Sequence, residues 1–455
     1  MAGQLLIRAY NVGVGDCIYI RIPKARKKGG KIDDFHILID CGKKGSAAEL
    51  KVALDHLKGE LPIEGSGKRL DLLVVSHEHE DHIKGFDPAW FTDIRIENLW
   101  MSVAMNRDHP QAKFAHQLHD MAATAMRGIA ARNLALSPEL ADIAARYSIA
   151  NDGAVDALRK VLPKQNGITP LYVHADMKPA QLQPATLSGA TFKVLGPEFD
   201  IDTYYLGDAA EDILHGFSAS TGLLKGKAKA RKTGPAPANI SGSDFTRLQS
   251  RMMSGAFAFA EEEGEVVNNT SVMLLVEWRG RRLLFVGDAE WNSAYRDKKK
   301  NFAWNTAWKL HKPELETPVD FLKIGHHGSI NATPWNSKED GKLTEPATIL
   351  NAILPLPKDN AKPVAKAVVS TERTFYPVIP RSTLLLEIGK RVSNTKKYST
   401  ALSTDQLAQL PNYDDYEARW LDRPQPLRTD LEARLTGNGF VDITIEPAEG
   451  FLRGL

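Results

Sequence analysis

The stretch of the chain that most restricts its fold lies directly after the apolar segment 72–75 and reads Ser-His-Glu-His-Glu-Asp-His. The apolar segment predicts a buried strand that delivers these side chains onto the turn at its end. Neutral imidazole is the commonest protein ligand of zinc-like ions. This spacing lets His77 and His79 face one ion while Asp81 and His82 reach a second, about 3.5–4 Å away. The sequence therefore predicts a metal site at the end of this strand.

Two later segments, both largely apolar, also end in residues that bind metals. The segment 283–286 leads into Asp288, and the segment 321–324 leads into His326 and His327. Carboxylate and imidazole groups are common zinc ligands, and here they follow predicted strands directly. Three strand ends of this composition are not typical of solvated charged loops.

The order of these segments resembles that of the metallo-β-lactamase superfamily, whose His-x-His-x-Asp-His signature matches residues 77–82. Segments 10–17 and 36–42 are similar to the first strands of one branch of this superfamily. That branch includes the soluble hydrolase domain of competence proteins that take up DNA. The resemblance covers most of the chain and implies an α/β fold. The fold would be a four-layer αββα metallo-β-lactamase sandwich with helical insertions, in a single domain over residues 1–455.

The resemblance also implies which side chains hold metal ions. His77 and His79 would bind a first ion, Asp81 and His82 would bind a second, and Asp288 would bridge both. One histidine from the last strand end would complete the set.

That last ligand is one member of the pair 326–327. We expect it to be His326, because Leu322 and Ile324 alternate with it on one face of the strand. His327 is then either the proton donor to the leaving group or a neighbour that supports the ligands.

Four more residues are expected to surround the ligands and support them, namely Asp16, Asp40, Asn268 and Asn269. Asp40 ends its strand as the superfamily's early aspartate does, and we expect it to orient the histidine run through hydrogen bonds. Asp16 resembles the aspartate of the branch's Gly-x-Gly-Asp turn. Its alternative role is to cap its own turn.

The asparagine pair marks a departure from many relatives, which carry a third histidine for the first ion just before the strand predicted at 271–278. This chain has Asn268 and Asn269 there, as the DNA-uptake branch also has asparagines. Either one could contribute an oxygen ligand or contact a phosphate. His109 or His174 could supply an imidazole from elsewhere, and a site with a single ion is the remaining alternative.

Two insertions, 103–165 and 203–265, have no counterpart in compact members of the superfamily. The first is predicted to be helical, because Ala, Met and Leu recur at three- and four-residue intervals. The second contains a basic stretch, rich in Gly and Pro, in which we expect a flexible loop. Its residues Lys227, Lys229 and Arg231 are candidates for substrate binding, because counterion release rewards lysines laid along phosphates. A linker without any partner is the alternative.

The sequence also predicts the structure of two other segments. Residues 24–31 are predicted to be a basic hairpin loop, either simply solvated or a finger that contacts phosphates. Residues 290–311 are predicted to form a helix that begins after Asp288.

The composition favours a globular chain outside the membrane. No run of about 18 apolar residues occurs, and the N-terminus lacks the pattern of a signal peptide, so we predict a cytoplasmic protein. The two cysteines, Cys17 and Cys41, lie in apolar contexts and are expected to be small buried side chains. A formal net charge of +2 argues neither for nor against a polyanionic substrate.

These features predict a metal-dependent phosphodiester hydrolase, and within that class they favour a nuclease that uses a metal-activated hydroxide. Asp81 and Asp288 would hold the nucleophile, and His327 is the candidate acid. Histidine-rich ligation suits Zn²⁺, as one or two ions, while the carboxylates also tolerate Mn²⁺. The expected partner is a nucleic acid or nucleotide substrate.

Two other functions fit the same residues. The first is a small-molecule esterase, since the same chemistry opens cyclic nucleotides, phosphocholine esters, lactones and thioesters. The second is a catalytically idle binding or regulatory protein whose insertions recognise a partner. The near-complete ligand set argues against this second alternative.

Overall fold

The computed structural model describes residues 3–131, 136–147, 149–208, 242–335, 338–339, 342–358, 361–373, 376, 378–410 and 420–449. The basic candidates Lys227, Lys229 and Arg231 lie outside the described residues, as does most of the second predicted insertion. Among the residues described, no helix is both long enough and apolar enough to span a membrane.

The described chain is a mixed α/β protein, as the sequence predicts. Its first strands are β1 (Leu5–Tyr10), β2 (Ile18–Lys28), β3 (Lys31–Ile39), β4 (Ile63–Glu64), β5 (Gly67–Leu70), β6 (Leu72–Val75), β7 (Ile94–Ile96), β8 (Leu99–Ser102) and β9 (Leu171–Val173). The later strands are β10 (Ala190–Val194), β11 (Leu274–Trp278), β12 (Arg281–Phe285), β13 (Phe321–Lys323), β14 (Lys338–Glu339), β15 (Lys342–Leu343), β16 (Lys366–Val369), β17 (Thr395–Lys396), β18 (Gln425–Arg428) and β19 (Phe440–Ile445).

Two seven-stranded sheets organise these strands. The first has the order β19-β1-β2-β3-β6-β8-β9, and the second has the order β10-β11-β12-β13-β16-β18-β17. Strands β3, β6, β8 and β9 run parallel, and so do β12, β13, β16 and β18. Ligand sites in open α/β sheets lie beyond the carboxyl ends of parallel strands. Asp40, Ser76 and Asp288 all follow such ends.

A shared apolar core joins the two sheets. Ile37 and Val74 of the first sheet belong to the same buried cluster as Leu274, Leu283 and Phe321 of the second. Because this cluster draws side chains from both sheets, the sheets pack against each other.

Helices pack on the other face of each sheet. The described helices in the first half are α1 (Ala48–Glu60), α2 (Glu80–Ile83), α3 (Lys113–Ala130), α4 (Pro138–Ala145), α5 (Ile149–Asp156) and α6 (Leu162–Asn166). The later ones are α7 (Gly242–Asn269), α8 (Ala303–Leu310), α9 (Lys312–Leu315), α10 (Glu345–Ile353), α11 (Ser382–Gly389), α12 (Tyr398–Ala401), α13 (Thr404–Ala408) and α14 (Thr429–Thr436). Helix α1 buries Leu50, Leu54 and Leu57 against the first sheet, at the spacing of one helix face. Helices α8, α10 and α11 share a core with the second sheet.

The two insertions meet in one further core. Leu118, Ala122 and Met126 of α3 pack with Phe257 and Ala260 of α7. Segments far apart in the sequence therefore form one helical unit beside the sheets.

The hairpin predicted as a basic loop at 24–31 is mostly strand, because β2 continues to Lys28 and β3 begins at Lys31. Arg26 is buried and pairs with Asp71 at 2.7 Å and with Glu97 at 2.8 Å. This charge balances neighbouring carboxylates, so it is not free to contact a phosphate.

The helix predicted at 290–311 is wrong over its first half, since α8 begins only at Ala303. The residues before it make polar tertiary contacts instead of helical ones. The Glu290 backbone N–H donates to Asn269 Oδ1 at 3.2 Å, and the Trp291 N–H donates to the Asn331 carbonyl at 2.8 Å.

Close backbone packing at Gly42 gives the first testable prediction. A Cβ at this position would overlap the backbone of Asp81 and His82. Residues 76–82, called here the histidine turn, would therefore have to move. We expect Gly42→Ala to lower the free energy of unfolding by about 1–3 kcal/mol in urea denaturation. Gly59→Ala is the matched control, because that glycine lies in α1 with nothing within 4 Å of the added carbon. Equal losses in both variants would contradict the prediction.

Candidate metal centre

Four buried side chains converge beyond the carboxyl ends of the parallel strands. Asp81 and His82 lie in the short helix α2 after β6, Asp288 follows β12, and His327 follows β13. One ligand atom of each lies within 4.8 Å of the others. His82 Nε2 is 3.1 Å from Asp288 Oδ1, and His327 Nε2 is 3.4 Å from Asp81 Oδ2. Two imidazoles and two carboxylates in this arrangement suit a divalent cation.

The hydrogen bonding of these atoms also fits a cation. The Nε2 atoms of His77, His82 and His327 and the Oδ1 atom of Asp288 are buried. Apart from close approaches within the cluster, such as that of His82 Nε2 to Asp288 Oδ1 at 3.1 Å, they have no hydrogen-bond partner among the described residues. Most buried polar atoms in proteins are hydrogen-bonded, so a group of such atoms at one place calls for an explanation. A cation coordinated by these atoms would satisfy them together.

Asp40 fixes the position of the histidine turn through hydrogen bonds. Its carboxylate accepts hydrogen bonds from the Ser76 backbone N–H at 2.7 Å, from Ser76 Oγ at 2.6 Å and from His82 Nδ1 at 2.8 Å. Because Nδ1 of His82 donates to Asp40, its Nε2 carries the free lone pair that a metal requires. The expectation that Asp40 orients the histidine run agrees with these contacts. Asp40 has a φ of 57°, which is uncommon outside glycine.

His327 is oriented in the same way from the second sheet. Its Nδ1 lies 3.1 Å from the carbonyl oxygen of Ser370, which follows β16, so Nδ1 donates and Nε2 faces the cluster. His326 and His327 have φ values of 40° and 53°, two successive left-handed residues at the end of β13. Such strained backbone is found mainly at functional sites.

His77 and His79 do not belong to this cluster of four side chains. His77 Nδ1 lies 3.1 Å from the hydroxyls of Ser76 and Ser271, and its Nε2 is 3.9 Å from Asp288 Oδ2. His79 lies farther out, with its ring centre 4.8 Å from that of His77. Burial, together with the charge of Arg146, lowers the pKa of His79 to about 4. Among the described residues, neither histidine belongs to a group of three or more ligands that could share one ion.

His326, expected to be the strand-end ligand, instead contacts Glu290. Its Nδ1 is 3.0 Å from Glu290 Oε1, its Nε2 is 3.9 Å from Asp288 Oδ2, and its side chain is 26% exposed. Asn268 and Asn269 donate to the two oxygens of Glu290 at 3.2 and 3.3 Å. The asparagines therefore hold Glu290, which in turn faces His326. Sequence reasoning missed Glu290, although it lies only two positions after Asp288.

Asp16 forms a buried ion pair beneath the cluster. Lys323 Nζ donates to its carboxylate, and the Asp16 backbone N–H donates to the Asp81 carbonyl at 3.0 Å. Asp16, Asp40 and His82 also bring ligand atoms within 4.8 Å of one another. Since Lys323 pairs with Asp16 and His82 donates to Asp40, we interpret this second group as a support for the first. Lys323 was not identified from the sequence, because a lysine in a short strand carries no distinctive pattern.

The two histidines considered as substitute ligands lie elsewhere. His109 Nε2 is 2.6 Å from the Phe199 carbonyl, and His174 packs on the Phe199 ring. Neither belongs to a candidate group of ligands among the residues that the structure describes.

The charged side chains of the cluster shift one another's pKa values. Burial alone would raise the pKa of Asp81, but Lys44 and His327 hold it well below its usual range. Burial would lower the pKa of His82, yet Asp288 and Asp40 raise it well above its usual value. Both carboxylates therefore favour the protonated form of the His82 imidazole.

Comparisons with known proteins add no relative to this description. Neither a scan of the chain against protein-family models nor a search of curated proteins gave a match. The metal centre is therefore inferred from the geometry and chemistry of its side chains.

Proton release gives a prediction about metal binding. A cation at His82 Nε2 competes with a proton there, and Asp288 and Asp40 favour that proton because they raise the pKa of His82. Affinity for Mn²⁺ should therefore rise between about pH 6 and 8, by up to roughly tenfold per pH unit. Calorimetry in two buffers of different ionisation enthalpy should show about one proton released per ion. Binding without proton release, or affinity that does not depend on pH, would contradict this assignment.

The support given by Asp40 yields a separate prediction. Asp40→Asn removes the charge that fixes the tautomer of His82, and we expect metal affinity to fall by about 10- to 100-fold. Asp34→Asn, at a partly exposed position in the same strand, serves as the control and should bind metal like the wild type. Equal affinities for the Asp40 variant and the wild type, measured by calorimetry on folded protein, would show that Asp40 has no such role.

Proposed function

We propose that this chain is a metal-dependent phosphodiester hydrolase, and more specifically a nuclease. The observation that carries the proposal is the convergence of Asp81, His82, Asp288 and His327, buried and with ligand atoms within 4.8 Å of one another. Their place beyond the carboxyl ends of parallel strands is typical of catalytic sites in α/β proteins.

The architecture supports the family that the sequence resembles. Two sheets share one core, and helices cover their other faces, as in a four-layer αββα sandwich. We propose on this basis that the fold is that of the metallo-β-lactamase superfamily. Strand ends from both sheets contribute the ligands, in the order expected from the resemblance.

The proposed roles follow from the contacts of each side chain. Asp81, His82, Asp288 and His327 would hold one cation, Zn²⁺ or Mn²⁺, and His77 Nε2 is the next nearest donor. A divalent cation at such a site supplies Lewis-acid chemistry, lowering the pKa of water towards about 7 and neutralising charge on phosphoryl oxygens. Asp81 and Asp288 carry negative charge there, so they can accept hydrogen bonds from an attacking water and orient it.

The proton donor in this proposal is His326, where the sequence favoured His327. His327 uses both ring nitrogens inside the protein, one towards Ser370 and one towards Asp81. His326 is partly exposed at the edge of the cluster, and Glu290 faces its Nδ1 at 3.0 Å. A carboxylate behind an imidazole fixes the ring and favours its protonated form. His326 is therefore placed to give a proton to the departing oxygen of a substrate.

Cleavage assays test the proposal directly. We expect the wild type with Mn²⁺ or Zn²⁺ to cut labelled single- or double-stranded DNA or RNA, and Asp81→Ala to lose at least about 100-fold of that activity. Asp55→Ala, an exposed aspartate of α1, is the matched control and should keep full activity. Both variants should unfold in a cooperative transition, which separates loss of function from loss of fold.

The alternatives give different results in the same assays. Turnover of only a chromogenic phosphodiester would replace the nuclease assignment with a small-molecule esterase. Absence of cleavage in every substrate, with bound metal measured by mass spectrometry, would overturn the phosphodiesterase proposal and favour a carbonyl substrate or a binding function.

A further inference from the structure

The metal centre opens to solvent at His326. The side chains of the four candidate ligands are between 0% and 7% exposed, whereas that of His326 is 26% exposed. Because the ligands themselves are covered, a substrate reaches the cluster past His326. The side chains exposed around His326 are therefore the ones that a bound substrate contacts.

An isoleucine lies at this opening. Ile330 follows His326 by four residues, and its side chain is 52% exposed. The Ser329 backbone N–H donates to the His326 carbonyl at 2.9 Å, which closes a β-turn whose end Cα atoms are less than about 7 Å apart. The next Cα is about 3.8 Å further on, so the Cα atoms of Ile330 and His326 lie within about 11 Å of each other.

A valine from another segment lies at the same turn. Val378 is 47% exposed. Two residues later, Pro380 places its Cβ 2.9 Å from the point where a Cβ on Gly328 would stand, and the Arg381 N–H donates to the Gly328 carbonyl at 2.8 Å. Since Gly328 is midway between His326 and Ile330, the segment that carries Val378 packs against this turn.

Two tryptophans complete the surroundings of the turn. Trp291 and Trp335 are both partly exposed, and both also pack against the core of the second sheet. The Trp335 indole N–H donates to the Ile330 carbonyl at 3.1 Å, and the Trp291 backbone N–H donates to the Asn331 carbonyl at 2.8 Å. Trp291 also follows directly on the glutamate that faces His326.

These four side chains, Ile330, Val378, Trp291 and Trp335, are called here the apolar rim. A single exposed apolar side chain is ordinary on a protein surface, but four around one opening form a patch. Behind the rim lies a cluster of charged groups that suits a phosphoryl group with its metal ion. The opening therefore suits a ligand that is charged at one end and flat and apolar at the other.

We propose that the apolar rim stacks on the nucleobase of the nucleoside that leaves, and so selects nucleotide phosphodiesters. The inference rests on the proposed nuclease function and on His326 as its proton donor. Because His326 would give its proton to the departing oxygen, the nucleoside attached to that oxygen lies on the same side as the rim. Every base has an apolar face, so stacking on tryptophan and aliphatic side chains tolerates all four bases.

Oligonucleotide binding without metal tests the inference independently of catalysis. Fluorescence anisotropy in EDTA compares a labelled single strand with a strand of the same length and charge whose nucleotides lack bases. The wild type should bind the strand with bases at least about tenfold more tightly. Ile330→Ser and Val378→Ser should each weaken binding of that strand about three- to tenfold, and Trp335→Leu about tenfold, while the affinity for the abasic strand stays within twofold.

Val364→Ser is the matched control, because it makes the same substitution at a side chain that is 78% exposed. Val364 precedes β16, at the amino end of the parallel strands and hence opposite the metal centre. Equal losses in the Val364 and Val378 variants would overturn the inference, as would equal affinity of the wild type for the two strands. Stronger competition by a long-chain alkyl phosphodiester than by the strand with bases would also overturn it, and would indicate a lipid substrate.

Kinetics separate this inference from the proposed function. With Mn²⁺, kcat/KM for a dinucleotide should exceed that for the same compound without the leaving base by about tenfold, and Ile330→Ser should remove most of this difference. Equal cleavage of both compounds, unchanged in the Ile330 variant, would refute the inference and leave the nuclease standing. A wild type that prefers the strand with bases in EDTA but cuts nothing would refute the nuclease and leave base binding by the rim standing.

Discussion

The hydrogen bonds accepted by the Asp40 carboxylate are the constraint on which the metal centre depends. They join the end of β3 to the first residue after β6 and to His82, which lies six positions further on. The backbone of Asp40 is left-handed, and only surrounding contacts can keep it so. Gly42 supports the same arrangement, because it lets the chain pass against the backbone of the histidine turn. These contacts therefore fix the position of the His82 imidazole without any ion.

Much of this arrangement could be predicted from local patterns. Apolar runs followed at once by His77, His79, Asp81 and His82, or by Asp288, indicate strand ends with metal-binding side chains, and the structure places these residues there. Position along the chain does not determine which atoms meet, however. His326 and His327 are adjacent, and the left-handed backbone at both decides that the second faces Asp81. Alternation along an ideal strand cannot predict that turn.

The contacts missed from the sequence are long-range ones. Lys323 meets Asp16 across the chain, and Glu290 meets the asparagines that end α7. The charge of Arg146 acts on His79, and it comes from a segment that packs with α3 and α7 beside the sheets. The helix expected at 290–311 failed for a related reason. Glu290 and Trp291 bind polar groups of other segments, and these tertiary contacts outweigh the local preference for a helix.

The two sheets share the ligand set evenly. The segment after β6 supplies one carboxylate and one imidazole, Asp81 and His82, and the segments after β12 and β13 supply another pair, Asp288 and His327. Neither half of the chain carries all four candidate ligands. A polypeptide cut between β10 and β11 could retain an ion only while the two fragments remain docked. Retention of the ion would then measure whether the two halves are associated, and the cation would help to hold them together.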